Sequence, residues 1–115
     1  AQTLMVRIDA ALYFANVDYI KDKLQELEHT EGEQLKNIII DANGINDVDS
    51  SAIHALKELI KEYEEQGVEW YFAAVKGPVR DMFEKTGIYE HLGKDHFFDT
   101  VNEANKRILG HELID

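Results

Sequence analysis

The chain has 115 residues, enough for one small domain, and a domain of that size buries about two-thirds of the surface its unfolded form exposes. Acidic residues outnumber basic ones 23 to 12, and the resulting formal charge of -11 would repel a nucleic-acid backbone or an anionic lipid surface, so nucleic acid is not an expected partner. Cysteine is absent, which removes disulfides, thiolate metal sites and thiol nucleophiles together, and no apolar run approaches the ~20 residues that cross a bilayer.

A soluble domain in a cytosolic setting is the default expectation, since no charged-then-apolar signal peptide opens the chain. The first residue is Ala1 rather than methionine, which fits a processed or tagged chain and equally a piece excised from a longer protein.

Leu4, Val6 and Ile8 alternate with Met5, Arg7 and Asp9, the period of a strand with one buried face. Leu12 to Ala15 form a second short apolar run, and Asp9-Ala10-Ala11 is the expected turn between the two arms of a hairpin. From Asn16, a candidate N-cap, apolar residues fall at Val17, Ile20, Leu24 and Leu27, the stripe of a helix that frays into the polar segment Glu28 to Gln34.

Ile38 to Ile40 is continuously apolar and β-branched, as in a central strand covered on both faces, and Asp41-Ala42-Asn43-Gly44 ends it with turn chemistry. The next helix carries Ile53, Leu56, Ile60 and Tyr63 on one stripe, with Lys57, Glu58, Lys61, Glu62 and Glu65 elsewhere, and stops at Gln66-Gly67. Val68 to Val75 reads as another strand. Gly77-Pro78 opens a short third helix with Val79, Met82 and Phe83 as its buried positions and Gly87 as its C-cap. Ile88 to Asp95 reads as a loop, Phe97-Phe98 as a brief strand, and Val101, Ala104 and Ile108 as the stripe of a last helix.

The expected order is therefore β-β-α-β-α-β-α-β-α. Strands that alternate with helices need crossover connections, so the predicted fold is α/β, with a mixed, mainly parallel sheet, an antiparallel N-terminal hairpin and about four helices. No internal repeat or proline-rich linker divides residues 1–115, which are expected to form a single domain.

The stretch with most chemical content is Asp47-Val48-Asp49-Ser50-Ser51-Ala52, which places two serines where an apolar strand hands over to an amphipathic helix. Free backbone N–H groups and the positive end of the helix dipole favour an oxyanion there, including a phosphate carried by a serine. A docking or switch loop made by Asp47, Asp49, Ser50, Ser51 and His54 is the expectation, and plain helix capping by the same residues is the competing one.

Other chemistries fail on spacing. The acidic run from Asp41 has Asn46 and Ala52 where a calcium loop needs glycine and glutamate, so Asp41, Asp47 and Asp49 are better read as caps and dipole partners. The interval from Gly87 to Gly93 is one residue too long for a P-loop, and Asp95 stands where the magnesium-binding hydroxyl belongs. His29, His54, His91, His96 and His111 offer no i, i+4 pair for zinc. Neither glycine of a serine-hydrolase elbow flanks Ser50 or Ser51. Trp70 and Phe72 alternate with Glu69 and Tyr71 on a strand, a core pattern rather than a stacking platform. No enzymatic reaction, cofactor or metal ion is expected.

The strand, the serine loop with Asp49-Ser50-Ser51 and the helices around them resemble the STAS domain, shared by anti-sigma-factor antagonists and the cytoplasmic tails of SulP-type anion transporters. The resemblance runs almost end to end. Arg7-Ile8-Asp9-Ala10-Ala11-Leu12-Tyr13-Phe14-Ala15-Asn16 and the tail from Gly87-Ile88 to Phe97-Phe98-Asp99-Thr100-Val101, with Glu103-Ala104, resemble the transporter branch in particular.

That resemblance implies a regulatory, protein-interacting domain on the cytoplasmic side of a membrane, excised from a longer transporter of sulfate or a similar anion. Its implied partners are the transmembrane part of the same protein and other cytosolic proteins. In the antagonist branch the serine after the motif aspartate is phosphorylated, a position held here by Ser50, although that branch commonly has glycine where this chain has Ala52. A free-standing antagonist controlled by serine phosphorylation is the alternative. Nucleotide binding has also been proposed in the family, and no residue here locates a pocket for it.

Overall fold

The computed structural model describes residues 3–9, 13–30 and 35–114. Strand β1 (Thr3–Arg7) leads to helix α1 (Phe14–Thr30), then β2 (Asn37–Asp41), α2 (Ser50–Glu64), β3 (Glu69–Ala73), α3 (Gly77–Thr86), the short α4 (Ile88–Leu92), a 3-10 turn at Lys94–His96, β4 (Phe97–Phe98) and α5 (Val101–Ile114). The strands form one four-stranded sheet in the order β1-β2-β3-β4, every pairing parallel.

The antiparallel N-terminal hairpin expected from the sequence is not formed. Phe14 and Ala15 open α1 instead of a second arm, with the amides of Asn16 and Val17 both donating to the Tyr13 carbonyl at 2.9 and 3.3 Å. Leu12 and the expected turn at Ala10-Ala11 lie outside the described residues. The physical reason is that a four-residue apolar run has no period, so it suits a helix's first turn as well as a strand. Once a helix follows β1 directly, the chain returns by a crossover, and β1 must pair in parallel with β2. Asn16 correspondingly sits inside α1 rather than capping it.

Alternation along the strands sorts the core into two layers. Val6, Ile38, Ile40, Trp70 and Phe72 face one way and pack with Val17, Ile20 and Leu24 of α1, the expected stripe of α2, Val79 and Phe83 of α3, and Ile88 and Leu92 of α4. Ile39 and Ala73 face the other way, against Ala104 and Ile108 of α5. The Ile38–Ile40 run is thus covered on both sides, which its unbroken apolarity requires. Met82 is only partly buried.

The expected loop from Ile88 to Asp95 instead contains α4 and the 3-10 turn. Gly87, at φ 88°, ends α3 in the left-handed conformation that glycine adopts without penalty, and the chain re-enters a helix immediately. The turn then fixes β4: His96 stacks on Tyr71 with centroids 4.6 Å apart, and its Nδ1 donates to the Trp70 carbonyl at 2.6 Å. Thr100 caps α5 by accepting from the Glu103 amide at 3.1 Å.

Candidate functional site: the serine corner at the start of α2

Strand β2 ends at Asp41, whose buried carboxylate accepts from the Asn43 amide at 3.0 Å and folds the chain into a turn closed by Ile45 N to Ala42 O at 3.0 Å. Two apolar residues, Ile45 and Val48, plug the following loop into the core. Between these anchors Asn46 and Asp47 are exposed, and the Asp47 carboxylate accepts from the Val48 amide at 2.9 Å.

Asp49 is the cap of α2. Its backbone is extended, at φ -102° and ψ 166°, its side chain accepts from the Ala52 amide at 2.8 Å, and its carbonyl accepts from the Ile53 amide at 3.1 Å. Ser50 and Ser51 are the first two residues of the helix, and both are exposed. His54 lies one turn further on, its side chain 79% exposed and its Nε2 3.4 Å from a Glu58 carboxylate oxygen. Spacing of four residues puts Ser50 and His54 on the same helix face.

The sequence-selected residues therefore converge on one acidic corner at the carboxyl ends of the strands. Asp47 and Asp49 are occupied with local backbone amides, and Ser50, Ser51 and His54 are presented to solvent. Replacing Asp49 with alanine removes the acceptor that satisfies the Ala52 amide, and the expected cost is about 1 kcal/mol in urea unfolding. An unchanged midpoint would show that the carboxylate contributes no cap.

Sequence reasoning missed the support behind the corner. Arg7 Nε donates to Asp9 at 2.7 Å and its Nη1 lies 4.0 Å from Asp41. The Asp9 hydrogen bond and charge, with Asp41 behind them, push the guanidinium above its ordinary pKa. Gly44 carries the loop past this exit of β1 so closely that no side chain fits. Its glycine was visible in the sequence, but only as a turn former. Among the described residues no cluster of histidine, aspartate and glutamate is arranged to hold a metal ion, and no helix is long and apolar enough to cross a membrane.

Comparison with known proteins assigns this geometry a context. The family model described as the STAS domain matches residues 1–104. A relative, "Probable sulfate transporter 4.2" of Arabidopsis thaliana, is 37% identical over 113 residues, an alignment covering 88% of this chain and 16% of the transporter. The chain thus spans only a small fraction of the length of that relative. The solved STAS domain of a SulP transporter from Vibrio cholerae superimposes with a TM-score of 0.81 at 15% identity, covering 99% of this chain and 86% of that one. A Thermotoga maritima chain, described as a candidate anti-sigma factor antagonist, gives a TM-score of 0.72 at 14% identity, covering 93% of this chain and 87% of that one. At such identities the two structures share the fold alone.

Proposed function

Because this chain belongs to the STAS domain family, we propose that it is the cytoplasmic regulatory and protein-interaction domain of a SulP-type secondary anion transporter, with sulfate or a similar anion as the cargo of the whole protein. The observation that carries the proposal is the 37% identity to a plant sulfate transporter over nearly the whole chain, against likeness in fold alone to an antagonist. The free-standing antagonist accordingly ranks second.

The domain's role is to be touched rather than to turn over a substrate. Strand order β1-β2-β3-β4 never reverses, and α1, α2 and α3 share one face of the sheet, so the topology makes no switch-point crevice of the kind that holds ligands in doubly wound enzymes. What it offers at the carboxyl ends of the strands is the exposed serine corner. The transmembrane part of the same protein is the first partner for that surface.

Ser50 is the position where a covalent switch would act. A phosphate there adds nearly two negative charges, favoured by the α2 dipole and opposed by the nearby carboxylates of Asp47 and Asp49, so a docked partner meets a changed field without any change of fold. Two measurements test the proposal. The complete reading frame that carries this chain should encode several apolar segments of about 20 residues; a frame with none removes the transporter. Within such a transporter, Ser50→Asp should change anion uptake several-fold while Ser50→Ala stays near wild type. Equal uptake by both variants takes Ser50 out of the mechanism.

A further inference from the structure

Helix α2 divides its charges between two grooves. On the α1 side, Asp18, Glu58 and Glu62 surround Lys21, three carboxylates against one amine. On the α4 side the pattern reverses: Lys57 and Lys61 line a groove of about 190 Å³ together with Ile60, Gly87, Ile88 and His91. In a chain of formal charge -11, two lysines on one groove with no carboxylate in its lining are the exception.

Glu64 accepts from His91 Nε2 at 2.6 Å, which ties α2 to α4 beside the groove. Lys57 is held in place by donating to the Thr86 carbonyl at 2.8 Å, at the C-terminal end of α3, and its ammonium keeps two further donors. Lys61 is exposed. The groove is smaller than the roughly 300–1,000 Å³ of sites that enclose a whole small molecule, and its size suits one or two side chains of a longer segment.

From this arrangement we infer that the groove between α2 and α4 docks an acidic segment of a partner protein, its carboxylates meeting Lys57 and Lys61. Charge complementarity selects the partner: on a surface that otherwise repels acidic chains, this is where one is attracted, and the attraction governs encounter and register as much as affinity. The surface is separate from the serine corner, so its failure would leave the reading of Ser50 untouched.

The probe is a short acetylated peptide alternating glutamate with leucine, titrated into the 15N-labelled chain, with the lysine counterpart as control. Amide shifts should cluster at Ile60, Gly87, Ile88 and His91, saturate only with the acidic peptide, and weaken as salt rises. Lys61→Glu should weaken binding by about tenfold or more with the unfolding midpoint unchanged, while Lys21→Glu in the other groove should bind as wild type. Absence of saturable shifts, or equal binding by Lys61→Glu, overturns the proposal. So does broadening of these same resonances with protein concentration alone, which would identify the occupant as the acidic groove of a second copy.

Discussion

Phe72→Ala is expected to lower stability by about 3–5 kcal/mol, a large share of the roughly 5–15 kcal/mol that holds such a domain together. Phe72 is 1% exposed and sits on β3 with its ring 5.1 Å from Phe83 at 74° and 5.6 Å from Phe97 at 13°. Phe97 in turn lies 4.8 Å from Tyr89. One side chain thus connects β3 to α3, to α4 and to the two-residue β4, which has little backbone pairing of its own. Collapse around the missing ring would require α3 and β4 to move together, so most of the cavity should persist. In urea the midpoint should fall sharply with the slope unchanged, and the thermal midpoint should drop by more than about 10 °C. A loss below about 1.5 kcal/mol would mean that the aromatic cluster is not the joint between β3 and its neighbours α3 and β4.

The same cluster shows what the sequence could and could not disclose. Val68, Trp70 and Phe72 alternate with Glu69 and Tyr71, so a strand with those residues inward follows from period alone. Ile38 to Ile40 and the α2 stripe at Ile53, Leu56, Ile60 and Tyr63 are legible for the same reason, because burial imposes a repeat on the residues that experience it. Leu12 to Ala15 and Ile88 to Leu92 are too short to show a repeat. The first reads as a strand and the second as part of a loop, where the structure begins one helix with Phe14 and makes another of Ile88–Leu92. Reading a strand at Phe14 makes the sheet mixed rather than all-parallel, since a single connection decides the direction of the strand pairing it joins.

At the site, the motif was legible and its surroundings were not. Asp49-Ser50-Ser51 announces a helix start through capping chemistry written in adjacent residues. Lys57 and Lys61 read only as the polar side of an amphipathic helix, because nothing local says that α4 lies beside them while Glu58 and Glu62 turn toward α1. Charge segregation across α2 is a property of packing, and it becomes visible only when the neighbours are placed.

Gly44→Ala carries the other large effect, and it acts on the site itself. A Cβ at this position would lie 2.7 Å from Asp9 Cα, 2.7 Å from the Ile8 carbonyl oxygen and 2.5 Å from Asp9 Oδ1. Two of those three atoms are backbone, so no rotamer change relieves the contact. The Ile8 amide donates to the Asp41 carbonyl at 3.4 Å, and the Asp9 carboxylate is held by Arg7 at 2.7 Å, which ties the β1 exit to the neighbouring strand. The loop must therefore give way, and it is pinned by Ile45 and Val48. Overpacking of this kind costs about 1–3 kcal/mol, against a gain of at most about 1 kcal/mol from stiffening the unfolded chain, so a net loss near 2 kcal/mol is expected in urea. Because the displaced segment leads directly to Asp47 and Asp49, amide resonances of Ser50 and Ser51 should shift as well. If Gly44→Ala left the urea midpoint unchanged, the close approach of β1 to the serine corner would not exist, and the corner would be held by its apolar plugs and its capping carboxylates.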